Sequence, residues 1–137
     1  MGPRPVRRQP LSIKVPDGYG LRVLDEVDST NTEAARLVGQ LAGPEWILAR
    51  RQTNGRGRRG RAWSDPVGNF AASLVLFPKQ SPEQIALRSF VAALALYDAF
   101  VATTGRSDAL ALKWPNDVLL NGGKVAGILL ETTALSG

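Results

Sequence analysis

Residues 55–61 read GRGRRGR, so that four arginines and three glycines lie within seven residues. The like charges repel one another, and the glycines raise the conformational entropy that the loop loses when it becomes ordered. A bound anion would offset both costs. This stretch therefore predicts a loop that is disordered in the free protein and closes over an anionic ligand.

Other interpretations of this loop depend on the residues around it. Its glycines match G-x-G-x-x-G, but a dinucleotide-binding fold needs a helix to begin there, and Asp65, Pro66 and Gly68 do not begin one. A P-loop needs Lys and then Ser or Thr after its last glycine, and a kinase-like loop needs V-A-I-K on the next strand. The chain has neither. A solvated hairpin tip and an RNA-binding arginine–glycine tract remain as alternatives, although the loop lacks interleaved aromatic residues on which bases could stack.

The composition is typical of one globular domain. The chain has 137 residues, and six of its 17 Lys and Arg residues lie at positions 50–61, which concentrates the net charge of +5 near the loop. A local basic patch favours a small anionic ligand over a broad nucleic-acid surface. Because the sequence has no Cys and no His, a thiolate nucleophile, a histidine base and a usual zinc site are excluded. No apolar run is expected to span a bilayer, so we predict a cytoplasmic protein with no membrane partner.

Strands and helices mix along the chain on both sides of the loop. Residues 1–20 are predicted to be a basic, Pro-rich lead-in, and residues 21–137 to be one domain. Asp28 or Ser29 can cap a helix that runs to about Leu41, and Ser81 can cap a second helix that Gly105 ends. The second helix is predicted to have one apolar face, which comprises Leu87, Phe90, Val91, Leu94 and Val101. Strands are predicted at residues 21–24, 46–49, 70–77, 109–114, 118–120 and 124–132, which indicates the α+β (mixed α/β) class.

A second group of polar residues lies at positions 113–124, which read KWPNDVLLNGGK. Asn121-Gly122-Gly123 predicts a tight hairpin turn, and Lys124 begins a strand that is otherwise nearly all apolar. Lys124 is either a rim lysine at a strand end or a cation at the mouth of a pocket, where a low dielectric strengthens its effect on an anion. Asn116 and Asp117 are either turn residues after a proline or members of the same site.

Four motifs in this order strongly resemble the catalytic domain of bacterial biotin protein ligases: Ser29-Thr30-Asn31, Gln52 followed by GRGRRGRAW, KWPND at 113–117 and GGKVAGILLE at 122–131. The resemblance implies a biotin/lipoate ligase-like (class II synthetase-like) fold, with a mixed, largely antiparallel sheet flanked by helices. It also implies that residues 21–137 are the N-terminal portion of the catalytic domain, incomplete at the C-terminus. A lipoate ligase-like acyl-adenylate enzyme and a biotin-binding remnant without turnover remain as alternatives.

The reaction that the resemblance implies is AMP-forming ligation, with ATP and biotin as substrates and Mg²⁺ as cofactor. The product would be a biotinylated lysine of a biotin carboxyl carrier protein, from acetyl-CoA carboxylase or a related biotin-dependent carboxylase. An arginine loop would neutralise the two anionic substrates. We expect no DNA binding, since residues 1–20 leave no room for the helix-turn-helix of some family members. A homodimer is compatible with the resemblance.

The resemblance also assigns roles to individual residues. Lys124 and Arg58 would be catalytic. The biotin site would comprise Ser29, Thr30, Asn31, Gln52, Arg56, Arg58 and Lys124. The nucleotide site would comprise Arg58, Arg61, Trp63, Lys113, Asn116 and Asp117. No cluster of Asp and Glu in the sequence identifies ligands for the metal.

Overall fold

The computed structural model describes residues 12–64, 66 and 68–133. This part of the chain contains six strands and three helices. In chain order they are β1 (Gly20–Leu24), α1 (Thr30–Leu37), β2 (Glu45–Ala49), β3 (Ala71–Val75), α2 (Pro82–Ala86), α3 (Arg88–Thr104), β4 (Leu110–Lys113), β5 (Asp117–Leu120) and β6 (Gly123–Gly127). Single 3₁₀ turns lie at Val38–Gln40 and Arg58–Gly60. The predicted α+β class is therefore confirmed. Residues 1–11 of the predicted lead-in lie outside the described residues.

The described strands form two three-stranded sheets. In the first, β1 pairs parallel to β2 and β2 pairs antiparallel to β3, whereas β4, β5 and β6 form an antiparallel meander. The largely antiparallel arrangement is as predicted, but it is divided between two sheets. Ile47 at the centre of β2 and Val118 in β5 are fully buried, and each contributes about 1.5–3 kcal/mol to folding.

The parallel pairing of β1 and β2 brings the first part of the site together. Parallel strands end at the same edge of a sheet, so the segments that follow β1 and β2 run side by side. Val27 and Gln52 form a parallel bridge between them, and the amide of Thr53 donates to the carbonyl of Val27 at 2.9 Å. The N-terminus of α1 therefore lies next to Gln52 and the start of the arginine loop.

The second helical region begins and ends where the sequence predicts. Ser81 caps α2, since its Oγ accepts from the amide of Gln84 at 3.4 Å, and Pro82 occupies the first turn. Gly105 ends α3 with φ +68°, and its amide donates to the carbonyl of Val101 at 2.8 Å. α3 packs against β4 and β5.

Within the described part of the chain, the apolar face predicted for this helix lies mainly on its exposed side. Leu87, Phe90, Val91 and Leu94 are all exposed, Val91 at 67%, whereas the residues of α3 that are buried are the small Ser89 and Ala93. The sheet approaches the helix closely along these small residues. Because α3 is apolar around most of its surface, hydrophobic spacing alone did not identify the buried side.

The prediction that no apolar segment could span a bilayer also needs correction. By length and composition, the 23 residues Pro82–Thr104 are long and apolar enough to cross a membrane. In the structure this segment lies against the second sheet with Ala93 fully buried. Its position is that of a helix in a folded α+β layer.

A β-bulge in β6 determines where Lys124 points. The register pairs Val118 with Ala126 but Leu119 with Lys124, so Val125 is the extra residue. In a regular strand Lys124 would lie on the opposite face from Gly127 and its partner Asp117, because side chains alternate. The bulge turns Lys124 to the face that carries Asp117.

Candidate functional site

The arginine loop is a closed hairpin. The amide of Gly57 donates to the carbonyl of Arg61 at 2.7 Å, and the amide of Trp63 donates to the carbonyl of Gly55 at 3.0 Å. The turn at its tip has Arg59 at φ +60° and Gly60 at φ +70°. The disorder of the free loop stays a prediction, and backbone hydrogen bonds across the hairpin would offset part of the cost of ordering it.

A buried polar network joins α1 to Gln52, in the segment after β2, and to Ser73 in β3. The amide and Oγ1 of Thr30 both donate to Gln52 Oε1, at 2.8 and 3.2 Å. The Oγ of Ser73 lies 2.8 Å from Thr30 Oγ1 and also contacts Asn31 Oδ1. Thr30 and Ser73 are buried, so these contacts fix the orientation of Thr30, Asn31 and Gln52.

Ser29 has a capping role. Its Oγ accepts from the amide of Thr32 at 3.3 Å, and its side chain is buried. Asp28 accepts from the amide of Ser29 and pairs with Arg36, and the hydrogen bond to Arg36 is the main reason that the pKa of Asp28 is lowered. The helix-cap interpretation therefore describes Ser29 in this structure.

Arg56 is engaged within the protein. Its Nη1 donates to Glu131 Oε2 at 2.7 Å, and its Nε and Nη2 donate to Thr32 Oγ1 at 3.3 and 3.1 Å. Asn31 Nδ2 donates to the other oxygen of Glu131 at 2.9 Å. The hydrogen bond between Arg56 and Glu131 raises the pKa of Arg56 and lowers the pKa of Glu131.

Sequence reasoning missed Glu131 and Ser73 as members of the site. The sequence around each of them could have indicated its role. Glu131 is the last residue of the GGKVAGILLE motif, and Ser73 is the one polar residue in FAASLVLF at 70–77. A polar residue inside an otherwise apolar strand usually has a buried hydrogen-bond partner, which here is the network at α1.

Lys124 lies in a second cluster, with Trp63 and Asp117. Its Nζ is 2.9 Å from Asp117 Oδ1 and 4.9 Å from the centre of the Trp63 ring. The cluster is tightly packed at Gly127, where an added Cβ would lie 3.0 Å from Lys124 Cε and 3.2 Å from Trp63 Cη2. A larger residue at this point would require the lysine or the indole to shift by a few tenths of an ångström.

Asn116 is a buried amide with one atom unpaired. Its Nδ2 donates to the carbonyl of Ile128 at 2.9 Å, which fixes the orientation of the amide. Its Oδ1 is buried and has no hydrogen-bond partner among the residues that the structure describes. A buried unpaired acceptor costs about 1–3 kcal/mol, so a ligand that donates to it would recover that cost.

The remaining predicted residues are exposed. Lys113 lies opposite Asp117 in the register of β4 and β5. Arg58 and Arg61 extend from the hairpin, and within the described part of the chain neither forms an ion pair. Their charges are available to an anion.

The second sheet and the segment after it hold the hairpin near both ends. Near one end, Arg56 pairs with Glu131, which follows β6. At the other end, the Trp63 ring contacts Lys124 on β6. The structure thus brings the predicted residues into two adjoining groups, the polar network and the lysine cluster. Among residues 12–64, 66 and 68–133, no group of three or more Asp, Glu, His or Cys could hold a metal ion, so these residues do not by themselves fit a protein-built Mg²⁺ site.

A helix-capped polar network beside an arginine hairpin and a lysine cluster defines the class of protein, and the chain belongs to the biotin/lipoate A/B protein ligase family, whose sequence model matches residues 23–137. It is 60% identical to the biotin--[acetyl-CoA-carboxylase] ligase of Paracoccus denitrificans over 111 residues, which are 81% of this chain and 46% of that protein. The predicted resemblance is confirmed. The chain spans about half the length of the curated relatives it matches.

Solved structures agree with this assignment. The fold is similar to biotin protein ligase from Aquifex aeolicus in complex with biotin and ATP, with a TM-score of 0.73 and 34% identity over 83% of this chain and 47% of that chain. It is also similar to biotin protein ligase from Leishmania major in complex with biotinyl-5-AMP, with a TM-score of 0.75 and 27% identity over 87% of this chain and 53% of that chain. The predicted ligase-like fold is confirmed.

Proposed function

We propose that this chain carries the biotin- and nucleotide-binding part of an ATP-dependent biotin protein ligase. The enzyme would convert biotin and ATP to biotinyl-5′-AMP and pyrophosphate, and then transfer biotin to a lysine of a biotin carboxyl carrier protein. The named functions of the relatives support biotin as substrate and a carboxylase as partner. The observation that carries the proposal is the unpaired Oδ1 of Asn116 beside the Lys124 cluster.

The Asn116 amide suits an adenine ring. Its Oδ1 needs an N–H donor, and the 6-amino group of adenine is one. Asn116 precedes Asp117, which holds the ammonium of Lys124 at 2.9 Å. A nucleotide whose base donates to Asn116 would therefore place its phosphates within reach of a cation.

The polar network suits the ureido group of biotin. That group offers two N–H donors and one carbonyl acceptor, and it is neutral. Thr30, Asn31 and Gln52 present fixed hydroxyl and amide groups that match these needs without adding charge. The Ser29 side chain caps the N-terminus of α1, which carries Thr30 and Asn31. A contact between Ser29 and biotin stays a prediction.

The chemical step requires two anions to approach each other. A carboxylate oxygen of biotin would attack the α-phosphorus of ATP, and the bond from that phosphorus to the bridging oxygen of pyrophosphate would break. Lys124, Arg58 and Arg61 would lower the repulsion and stabilise charge in the transition state. In the second step, the neutral ε-amine of the carrier lysine would attack the biotinyl carbonyl, and AMP would leave.

Mg²⁺ stays an expectation from the family resemblance. The described residues offer no cluster of carboxylates for it, and Mg²⁺ commonly binds through substrate phosphates instead. The roles proposed for Lys124 and the arginines do not depend on a protein-bound ion. The cytoplasmic location, the homodimer and the absence of DNA binding likewise stay predictions.

Pyrophosphate release from ATP in the presence of biotin tests the activity directly. Release that depends on biotin supports a ligase, and biotin binding without release supports a binding-only protein. Replacement of biotin by lipoate separates the two acyl substrates of the family. An RNA-binding module would show neither biotin binding nor pyrophosphate release.

Nucleotide discrimination tests the role of Asn116. ATP presents an amino group at position 6, whereas ITP presents a carbonyl oxygen there, which Asn116 Oδ1 would repel. We expect ITP to be about 5- to 150-fold poorer than ATP in kcat/KM, the equivalent of about 1–3 kcal/mol. Equal use of ITP and ATP would show that Asn116 does not contact the base.

A further inference from the structure

We propose that Glu131 is a positioning residue, which fixes the base of the arginine hairpin by holding Arg56, and that Arg56 therefore does not contact the carboxylate of biotin. The part that concerns biotin rests on the proposed function. The residue assignments from the family resemblance place Arg56 in the biotin site. The geometry instead points to a structural role for Arg56 and a ligand-binding role for Arg58 and Arg61.

The contacts of Arg56 account for all three of its polar nitrogens. Nη1 faces Glu131 Oε2 at 2.7 Å, and both Nε and Nη2 face Thr32 Oγ1. Its positive charge is thus already matched by one carboxylate. A guanidinium has five N–H donors, so two remain on Nη1 and Nη2, but a second carboxylate would meet a charge that Glu131 already matches and would gain little net electrostatic energy.

Glu131 is itself held in place. Its second oxygen accepts from Asn31 Nδ2, and the same amide nitrogen reaches the carbonyl of Leu129 at 3.4 Å. Asn31 Oδ1 contacts Ser73, which belongs to the buried network on β3. The ion pair is therefore a link in a chain of contacts from β3 through α1 to the hairpin.

Because Arg56 lies at the base of the hairpin, its ion pair with Glu131 would affect the position of the whole hairpin. Arg56 forms an isolated antiparallel bridge with Ala62 at the base of the hairpin, and the tip residues Arg58 and Arg61 follow from that base. Movement of Arg56 away from Glu131 would open the base and release the tip. Arg58 and Arg61, which form no ion pair within the described part of the chain, are left as the cations that meet the anionic substrates, whereas Lys124, like Arg56, already pairs with a carboxylate.

Trypsin cleavage after Arg58, Arg59 and Arg61 measures opening of the hairpin in the full chain without ligand. We expect Glu131→Gln to raise cleavage at these sites about threefold to fivefold, since one partly exposed ion pair is lost. Glu131→Asp should retain more protection than Glu131→Gln. The matched control is Glu45→Gln, which removes the ion pair with Arg22 on the first sheet and should leave loop cleavage unchanged.

A double-mutant cycle isolates the coupling between Glu131 and Arg56. In an Arg56→Met background, Glu131→Gln should change loop cleavage by less than about 1.5-fold, because the partner is already gone. A full additive effect of Glu131→Gln in that background would overturn the positioning role, and so would unchanged cleavage in the Glu131→Gln single variant.

Comparison of biotin with its uncharged methyl ester tests the second half of the proposal. If Arg56 does not meet the carboxylate, Arg56→Met weakens both ligands alike and leaves their affinity ratio within about twofold of wild type, whereas Arg58→Met lowers the ratio by about tenfold. Collapse of the ratio in Arg56→Met would overturn the inference. If the wild-type chain binds neither ligand, the proposed function fails, while the cleavage cycle still decides the role of Glu131.

Discussion

Replacement of Gly127 by alanine tests whether Lys124 must lie where the structure places it. The added Cβ would lie 3.0 Å from Lys124 Cε, 3.1 Å from its Nζ and 3.2 Å from Trp63 Cη2. Such contacts are tighter than ordinary van der Waals contact, so relief requires the neighbouring side chains to shift by a few tenths of an ångström. The flexible lysine can move more easily than the indole ring.

The expected cost falls on the chemical step. A displacement of about 1 Å at a reacting group can reduce the rate by about 100-fold, so for a shift of a few tenths of an ångström we expect Gly127→Ala to lower kcat for biotin-dependent pyrophosphate release by about 3- to 10-fold. Stability should hold or rise by up to about 1 kcal/mol, since alanine restricts the unfolded chain more than glycine does and Gly127 has no positive φ.

The matched control is Gly123→Ala on the same strand. A Cβ at Gly123 would meet only the carbonyl of Leu120, at an ordinary 3.6 Å. This control should keep its activity within about twofold of wild type, as expected for a substitution with no close contact. Tryptophan fluorescence of Gly127→Ala should report movement near Trp63. Wild-type turnover by Gly127→Ala, with an unchanged spectrum, would refute the assigned position of Lys124.

Three further predictions concern single residues. Lys124→Met keeps an unbranched side chain, shorter by the terminal atom, but removes the cation, and should raise the barrier to biotin adenylation by about 2.7–4 kcal/mol, by analogy with a lost oxyanion-hole donor; unchanged single-turnover adenylation would contradict it. Thr30→Val removes the hydroxyl between Gln52 and Ser73, and should lower the free energy of unfolding by about 1–3 kcal/mol in urea titrations, unless another donor replaces it. Because Arg56 lowers the pKa of Glu131 below its ordinary 4.5, the stabilisation from their ion pair should be fully present above about pH 4.5 and lost as pH falls through the lower folded-state pKa. Amide hydrogen exchange of Gly57 and Trp63, corrected for the intrinsic pH dependence of exchange, checks this between about pH 2 and 6, and the loss of protection should disappear in Glu131→Gln.

Local signals in the sequence were sufficient for most elements of the fold. Ser81 and Gly105 bound the second helical region as predicted, since caps and left-handed glycines act within a few residues. The direction of α3 was not predictable in the same way. It depends on where the second sheet approaches closely, and the small Ser89 and Ala93 record that contact only once the packing is known.

In the site, too, short motifs could be recognised from the sequence, whereas contacts between residues far apart in the chain could not. The motifs identified Lys124, Asn116 and the arginine loop, because their residue types suit anions and adenine. The partnership of Arg56 with Glu131 joins residues 75 positions apart, and the bulge at Val125 arises from the register with β5. Neither contact follows from spacing along the chain, and the family resemblance placed Arg56 in the biotin site without indicating its partner.

The exposed apolar face of α3 affects how this polypeptide behaves at high concentration. The exposed apolar side chains are Leu87, Phe90, Val91 and Leu94. Exposed apolar surface of this kind promotes association between molecules. Light scattering or sedimentation of the polypeptide would therefore register adhesion as well as any symmetric pairing. Dilution series and mild salt changes are thus part of every assay on it, since clumped molecules would bury ligand sites and mimic inactivity.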